Sequence, residues 1–244
     1  MDSTMKLYWS LIFKKYSNEE LLRHLNNPIR EYESEMIDGV IADIGCGQSS
    51  YLLDFATTDR KLIAIDSEQL QLDFLKKRVE SDYLNKIENW VFLNKNFPQD
   101  DLPNEQYSLI IISNLLHFFT FEECLEIGKL ISKISTKGTL IYVVVHSDKH
   151  YAKKSQEQKK ENYFKHFFST TELDLIFPNP LFESIYCAEI EQTDSKKVVE
   201  FTKEWINEYC KVNNITDAQT IERTKSEHLK NKKQSNIEVL FRKT

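Results

Sequence analysis

The residues best suited to chemistry fall in one short run, Asp43-Ile44-Gly45-Cys46-Gly47-Gln48-Ser49. The chain has only five glycines in 244 residues, and two of them stand here one position apart. Glycine reaches left-handed backbone conformations without penalty, so a tight turn is expected at this point. The run Val40-Ile41-Ala42-Asp43-Ile44 before it has the length and character of a buried strand, and an apolar helical pattern follows from Ser49 to Thr57. A strand–turn–helix with small residues in the turn lets a ligand approach the backbone, and amide N–H groups left free there are expected to receive an anion. Asp66 ends the next strand-like run, 21 residues after Gly45, where a carboxylate would accept from ribose hydroxyls.

These positions discriminate between nucleoside ligands. The pyrophosphate of a dinucleotide would be repelled by Asp43, and the third small residue of a dinucleotide turn is replaced by Ser50. A nicotinamide dehydrogenase is therefore disfavoured. S-adenosylmethionine carries an ammonium, a carboxylate and a cationic sulfur, and an acid beside free amides suits that zwitterion.

Short aliphatic runs alternate with helical patterns along the first 146 residues. Val40–Ile44, Leu62–Ile65, Trp90–Leu93, Leu109–Ile112 and Leu140–Val145 read as strands. Continuous apolar strands separated by helices mark a parallel sheet covered on both faces, so the fold class is α/β and doubly wound. Residues 4–36 read as helices ahead of the first strand, with Ser17 and Glu20 at capping-box spacing and Pro28 opening the last. Thr120/Glu123 and Ser169/Glu172 repeat that spacing, and Gly138 is expected to close the helix that starts at Thr120. Residues 147–166 are polar and lysine-rich and read as a loop or lid. Phe182–Ile190 and Ile237–Phe241 read as two last strands. Between them lies a helical insert whose buried stripe is expected at Val198, Phe201, Trp205, Tyr209 and Val212.

In this arrangement the segment from Val40 to Ile190, with the final strand, resembles the class I S-adenosylmethionine-dependent methyltransferases. VIADIGCGQSS is similar to the family's first motif, Asp66 in LIAIDSEQLQLDFLKKR to its ribose-binding acid, and YSLIIISNLLHFF to its fourth motif, with Ser108 where an Asp is usual. Asn96 stands where the family has an adenine-contacting Asp. The resemblance implies a single methyltransferase domain over residues 1–244, with a mostly parallel seven-stranded Rossmann-like sheet. It would carry a helical cap (1–36), a lid (147–168) and an insert (194–234) before the last strand. S-adenosyl-L-methionine would be held by Asp43, Gly45, Cys46, Gly47, Asp66, Ser67, Asn96, Phe97, Ser113 and Asn114.

Methyl transfer is an in-line displacement for which alignment supplies most of the help, and a base is needed only where the acceptor must lose a proton. His117 and His146, after the fourth and fifth strands, are the candidates; a hydrogen bond at a helix entry and a solvent-facing strand end are the plainer roles. Tyr8, Trp9, Tyr151 and Tyr163 are candidates for an acceptor pocket, or else packing and surface aromatics. Ser113-Asn114-Leu115-Leu116 lacks the proline pair that holds base amino groups, which disfavours nucleobase acceptors. A small-molecule acceptor is expected, with a protein acceptor or a cofactor-binding scaffold as alternatives.

The charge sum of 32 basic and 38 acidic residues, −6, makes a poor general nucleic-acid binder, and the basic stretches 149–165 and 223–233 are interleaved with acids. No apolar stretch has membrane-spanning length and no signal peptide is read. Cys46, Cys124, Cys187 and Cys210 form no CxxC pair, so no metal is expected and a reducing, cytoplasmic setting is.

Overall fold

Val40–Ile44 is buried at every position, and it forms the centre of a seven-stranded sheet in the computed structural model. The structure describes residues 3–23, 25–159, 163–229 and 233–244. The strands are β1 (Val40–Ile44), β2 (Leu62–Asp66), β3 (Trp90–Asn94), β4 (Tyr107–Ser113), β5 (Leu140–His146), β6 (Phe182–Thr193) and β7 (Lys233–Lys243). Their order is β3-β2-β1-β4-β5-β7-β6. The first five are parallel to one another; β7 runs antiparallel between β5 and β6. This is the expected doubly wound sheet with an antiparallel edge.

Alternate strand residues face opposite layers. On one side Ala42, Ile44, Ile63, Ile110, Ile112 and Val143 pack under α5 (Phe121–Ile134) and α7 (Thr170–Ile176). On the other, Ile41, Leu62, Ala64, Leu109, Ile111 and Tyr142 pack under the 3₁₀ turn Pro28–Glu35, α3 (Ser50–Asp54) and α4 (Gln69–Asp82). The chain begins with α1 (Ser3–Lys15) and α2 (Asn18–Arg23), and the insert before β7 holds α8 (Lys196–Val212) and α9 (Ala218–His228).

All three capping boxes form. The Glu20 carboxylate accepts from the Ser17 backbone, and the pairs at Thr120/Glu123 and Ser169/Glu172 close reciprocally. Three sequence expectations need correction. Gly138 does not cap α5, which ends at Ile134 with Ser135 as its cap. Gly138 instead turns the chain (φ +90°) and donates to the Lys243 carbonyl at 2.8 Å. The stretch 147–166 contains a helix, α6 (Tyr151–Lys159), because Ala152 and the preceding His150 are buried and anchor its start; residues 160–162 lie outside the described residues. In α8 the buried stripe is Phe201, Ile206 and Cys210, whereas Val212 is 63% exposed. The helix turns a different edge inward from the one the apolar pattern suggested.

Candidate functional site: a cofactor cleft at the carboxyl edge of the sheet

Parallel register brings the ends of β1, β2, β4 and β5 to one edge, pairing Asp43 with Ala64 and Ile111, and Ser113 with Val144. Asp43 is 2% exposed there. Its Oδ2 accepts from Ser49 Oγ at 2.5 Å; Oδ1 is buried with no partner among the described residues. Burial pushes the Asp43 carboxyl up to about 7. An orphaned buried carboxylate oxygen at the mouth of the first turn is the group an ammonium would complete.

Gly45 and Gly47 both take positive φ, +71° and +53°. They differ in surroundings. A Cβ on Gly45 would stand 2.8 Å from Leu115 Cδ1, whereas one on Gly47 meets nothing among the described residues within 4 Å. Gly47 therefore borders open space, and Gly45 is needed for close packing.

The amides of this turn are not bare, contrary to the sequence expectation. The N–H groups of Gly45 and Cys46 both donate to the Ile65 carbonyl, and that of Gly47 donates to Asp66 Oδ2 at 2.8 Å. Neighbouring β2 ends where the turn begins, so its penultimate carbonyl, that of Ile65, and its final carboxylate, that of Asp66, capture these donors. Asp66 also accepts from the Glu68 N–H through Oδ1 at 2.8 Å. Each carboxylate oxygen keeps a second acceptor site, so both remain able to receive ribose hydroxyls. Partial burial raises the Asp66 carboxyl.

The other expected cofactor residues ring this edge. Cys46 is buried and desolvation drives its thiol upward. Ser67 and Asn96 are exposed, Phe97 is buried beside them, and the Asn96 N–H donates to Asp100 Oδ2. Asn114 adopts φ +54°, donates its N–H to the Val144 carbonyl and its amide to Ser113 Oγ, and so delivers Leu115 onto Gly45.

The two histidines stack. His117 is 2% exposed, enclosed by Phe118 and Phe164 rather than open to the cleft, and its Nδ1 has no partner among the described residues. His146, partly exposed, lies between the rings of His117 and His150. Desolvation holds all three imidazoles down, His150 to about 3. Tyr151 tilts over His150, while Tyr163 is 56% exposed at the rim of Phe118 and Phe164. Tyr8 and Trp9 sit on α1, Tyr8 packed edge-on against Phe201 and Trp205 of α8.

Sequence reasoning missed Gln48, Arg78, His150, Phe164 and Asn236. Gln48, Arg78 and Asn236 meet partners 30 to 90 positions away, so spacing gave no signal for them. No cluster of His, Cys, Asp and Glu among the described residues could hold a metal ion.

Residues 41–138 match the family model described as a methyltransferase domain. The fold is shared with solved structures. A SAM-dependent methyltransferase from Methanosarcina mazei is 16% identical, with 90% of this chain and 98% of that one covered at a TM-score of 0.60. Coclaurine N-methyltransferase, solved with N-methylheliamine and SAH, is 12% identical (94% and 74% covered, TM-score 0.62). Geranyl diphosphate C-methyltransferase from Streptomyces coelicolor A3(2) is 12% identical (93% and 78% covered, TM-score 0.53). No curated protein matches the chain by sequence. No described helix is long and apolar enough to cross a membrane.

Proposed function

We propose that the protein methylates a small molecule held between the cofactor cleft and the aromatic groups around His146. The observation that carries this reading is the roof over the sheet edge. Helix α1 packs on α8 through Tyr8, Phe201 and Trp205, and its Trp9 carbonyl accepts from Gln48 of the cofactor turn, so the cleft is covered by the chain itself. A protein acceptor would need an open groove on that side. The two named relatives with identified acceptors act on small molecules, which agrees with the reading.

In this reading Asp43 holds the ammonium of the cofactor, Asp66 its ribose, Gly47 leaves the space for its tail, and Phe97 lines the adenine. S-adenosylmethionine supplies a sulfonium methyl that an acceptor lone pair displaces, the C–S bonding pair staying on a neutral thioether. The chain's own part is to align the acceptor, exclude water and receive a proton. His146 is the group for the last task. Its Nδ1 lies 2.9 Å from Asn236 Oδ1, an oxygen that only accepts, so the proton sits on Nδ1 and Nε2 keeps its lone pair. His117 supports that ring from beneath, and Tyr151, Trp9 and Tyr8 bound the acceptor space. The free thiols Cys46, Cys124, Cys187 and Cys210 suit a reducing compartment, the cytoplasm.

The test is incubation of a metabolite extract with an isotopically labelled methyl donor and mass spectrometry of the products. One labelled low-molecular-weight product is expected. Label found only in protein would overturn the reading.

A further inference from the structure

Helix α1 ends on a buried cation. The Arg78 guanidinium, on α4, donates to the carbonyls of Ile12 and Phe13 in the last turn of α1, both at 3.4 Å, and to that of Tyr16 at 2.7 Å. It also donates to Asn18 Oδ1 at 3.2 Å, and Asn18 returns a bond to the Arg78 carbonyl. Carbonyls at a helix C-terminus lack intrahelical donors and carry the negative end of the macrodipole, so a buried guanidinium is a strong partner for them. The Phe13 ring lies 5.0 Å from the guanidinium carbon and stacks on Phe74.

The same guanidinium reaches the cofactor turn. Its Nη2 and Nε donate to Gln48 Oε1 at 3.0 and 3.3 Å, and Gln48 Nε2 donates to the Trp9 carbonyl of α1 at 2.9 Å. Gln48 is buried, and it directly follows Gly47, whose N–H is bound to the Asp66 carboxylate. Helix α4 starts three residues after Asp66. The two side chains that seat α1 therefore issue from the two segments that contact the cofactor.

We propose that Gln48 and Arg78 are positioning residues that couple occupation of the cofactor turn to the seating of α1. Cofactor binding fixes the turn, the turn fixes Gln48, and α1 closes over the acceptor space. An acceptor then finds a complete pocket only on the loaded protein. The proposal rests on the cofactor reading above. Coupling is reciprocal: the factor by which the cofactor suppresses opening of α1 is the factor by which loosening α1 weakens the cofactor.

The experiment is hydrogen exchange of the full chain with and without saturating S-adenosylhomocysteine, its binding followed by calorimetry. Peptides from residues 4–15 report α1, and peptides from β4 and β5 report global stability. In the native chain the ligand should slow exchange in α1 roughly 5–150-fold, the usual range of such couplings. Gln48→Ala and Arg78→Lys should lose that slowing and bind the ligand more weakly by a comparable factor, with β4 and β5 unchanged. If either variant fails to fold, the native chain decides alone. Ligand that binds without slowing α1 overturns the proposal and leaves the cofactor reading intact. No heat of binding at millimolar ligand overturns both.

Discussion

The imidazoles of His117 and His146 lie face to face, their centroids 3.9 Å apart and their planes 7° from parallel. His150 covers the other face of His146 at 4.0 Å and 16°. In a desolvated column of three rings a proton on one meets burial and the neighbouring imidazoles together, so the column favours neutral rings.

That column predicts a pH dependence of stability. His150 protonates near 6.5 when unfolded and is held down to about 3 when folded. Between those values the unfolded chain binds more protons, so the folding free energy contributed here is full above about 6.5 and is lost as pH falls toward 3. In urea unfolding between pH 4 and 7, His150→Phe should flatten the slope relative to the native chain. An unchanged slope would mean that His150 titrates freely.

Adjacent rings should carry opposite tautomers. The Ala152 N–H donates to His150 Nδ1 at 3.2 Å, which puts that proton on Nε2, whereas His146 donates from Nδ1 to Asn236. Imidazole nitrogen shifts in a long-range proton–nitrogen spectrum should show one of each. Asn236→Ala should move the His146 signals alone and cost about 1 kcal/mol, the usual worth of one hydrogen bond. A proton on Nε2 of His146 would remove it from the role of base.

Asp43 should set the pH dependence of S-adenosylhomocysteine affinity. Its carboxyl, pushed up to about 7, is half protonated near neutrality, and an ammonium favours the ionised form. Affinity for S-adenosylhomocysteine should fall as pH drops below 7, with proton release on binding. Asp43→Asn should weaken binding about 10–100-fold, as loss of a charged hydrogen bond does, without lowering the thermal midpoint at pH 8, since a buried charge has been removed. Calorimetry in two buffers reads both the affinity and the proton count.

The two glycines of the turn should fail differently on replacement. Gly45→Ala adds a Cβ at 2.8 Å from Leu115 in a left-handed backbone and should cost about 1–3 kcal/mol of stability. The Cβ of Gly47→Ala meets nothing among the described residues within 4 Å, so the backbone penalty of about 1 kcal/mol is its main structural cost. Its larger effect should be on S-adenosylhomocysteine, whose space it enters. Equal losses of thermal midpoint in the two variants would count against open space at Gly47.

Local chemistry was legible in the sequence. The strands from β1 to β5, the three capping boxes, the Gly45–Gly47 turn and Asp66 at the end of β2 all follow from apolar runs, cap spacing and the scarcity of glycine. These features depend on neighbours a few residues away, and such neighbours are written next to one another in the chain.

Tertiary structure decided what those features touch. The sequence reads the amides of the turn as free, yet the end of β2 captures three of them, because parallel pairing sets the Ile65 carbonyl and the Asp66 carboxylate against the turn. Arg78 meets Tyr16 across 62 positions of sequence, and His146 meets Asn236 across 90. The first contact depends on how α1 crosses α4, and the second on the antiparallel register of β5 with β7. Neither is encoded in spacing. The α8 stripe shows the same limit: an amphipathic pattern offers several faces, and only the partner helix selects which one is buried.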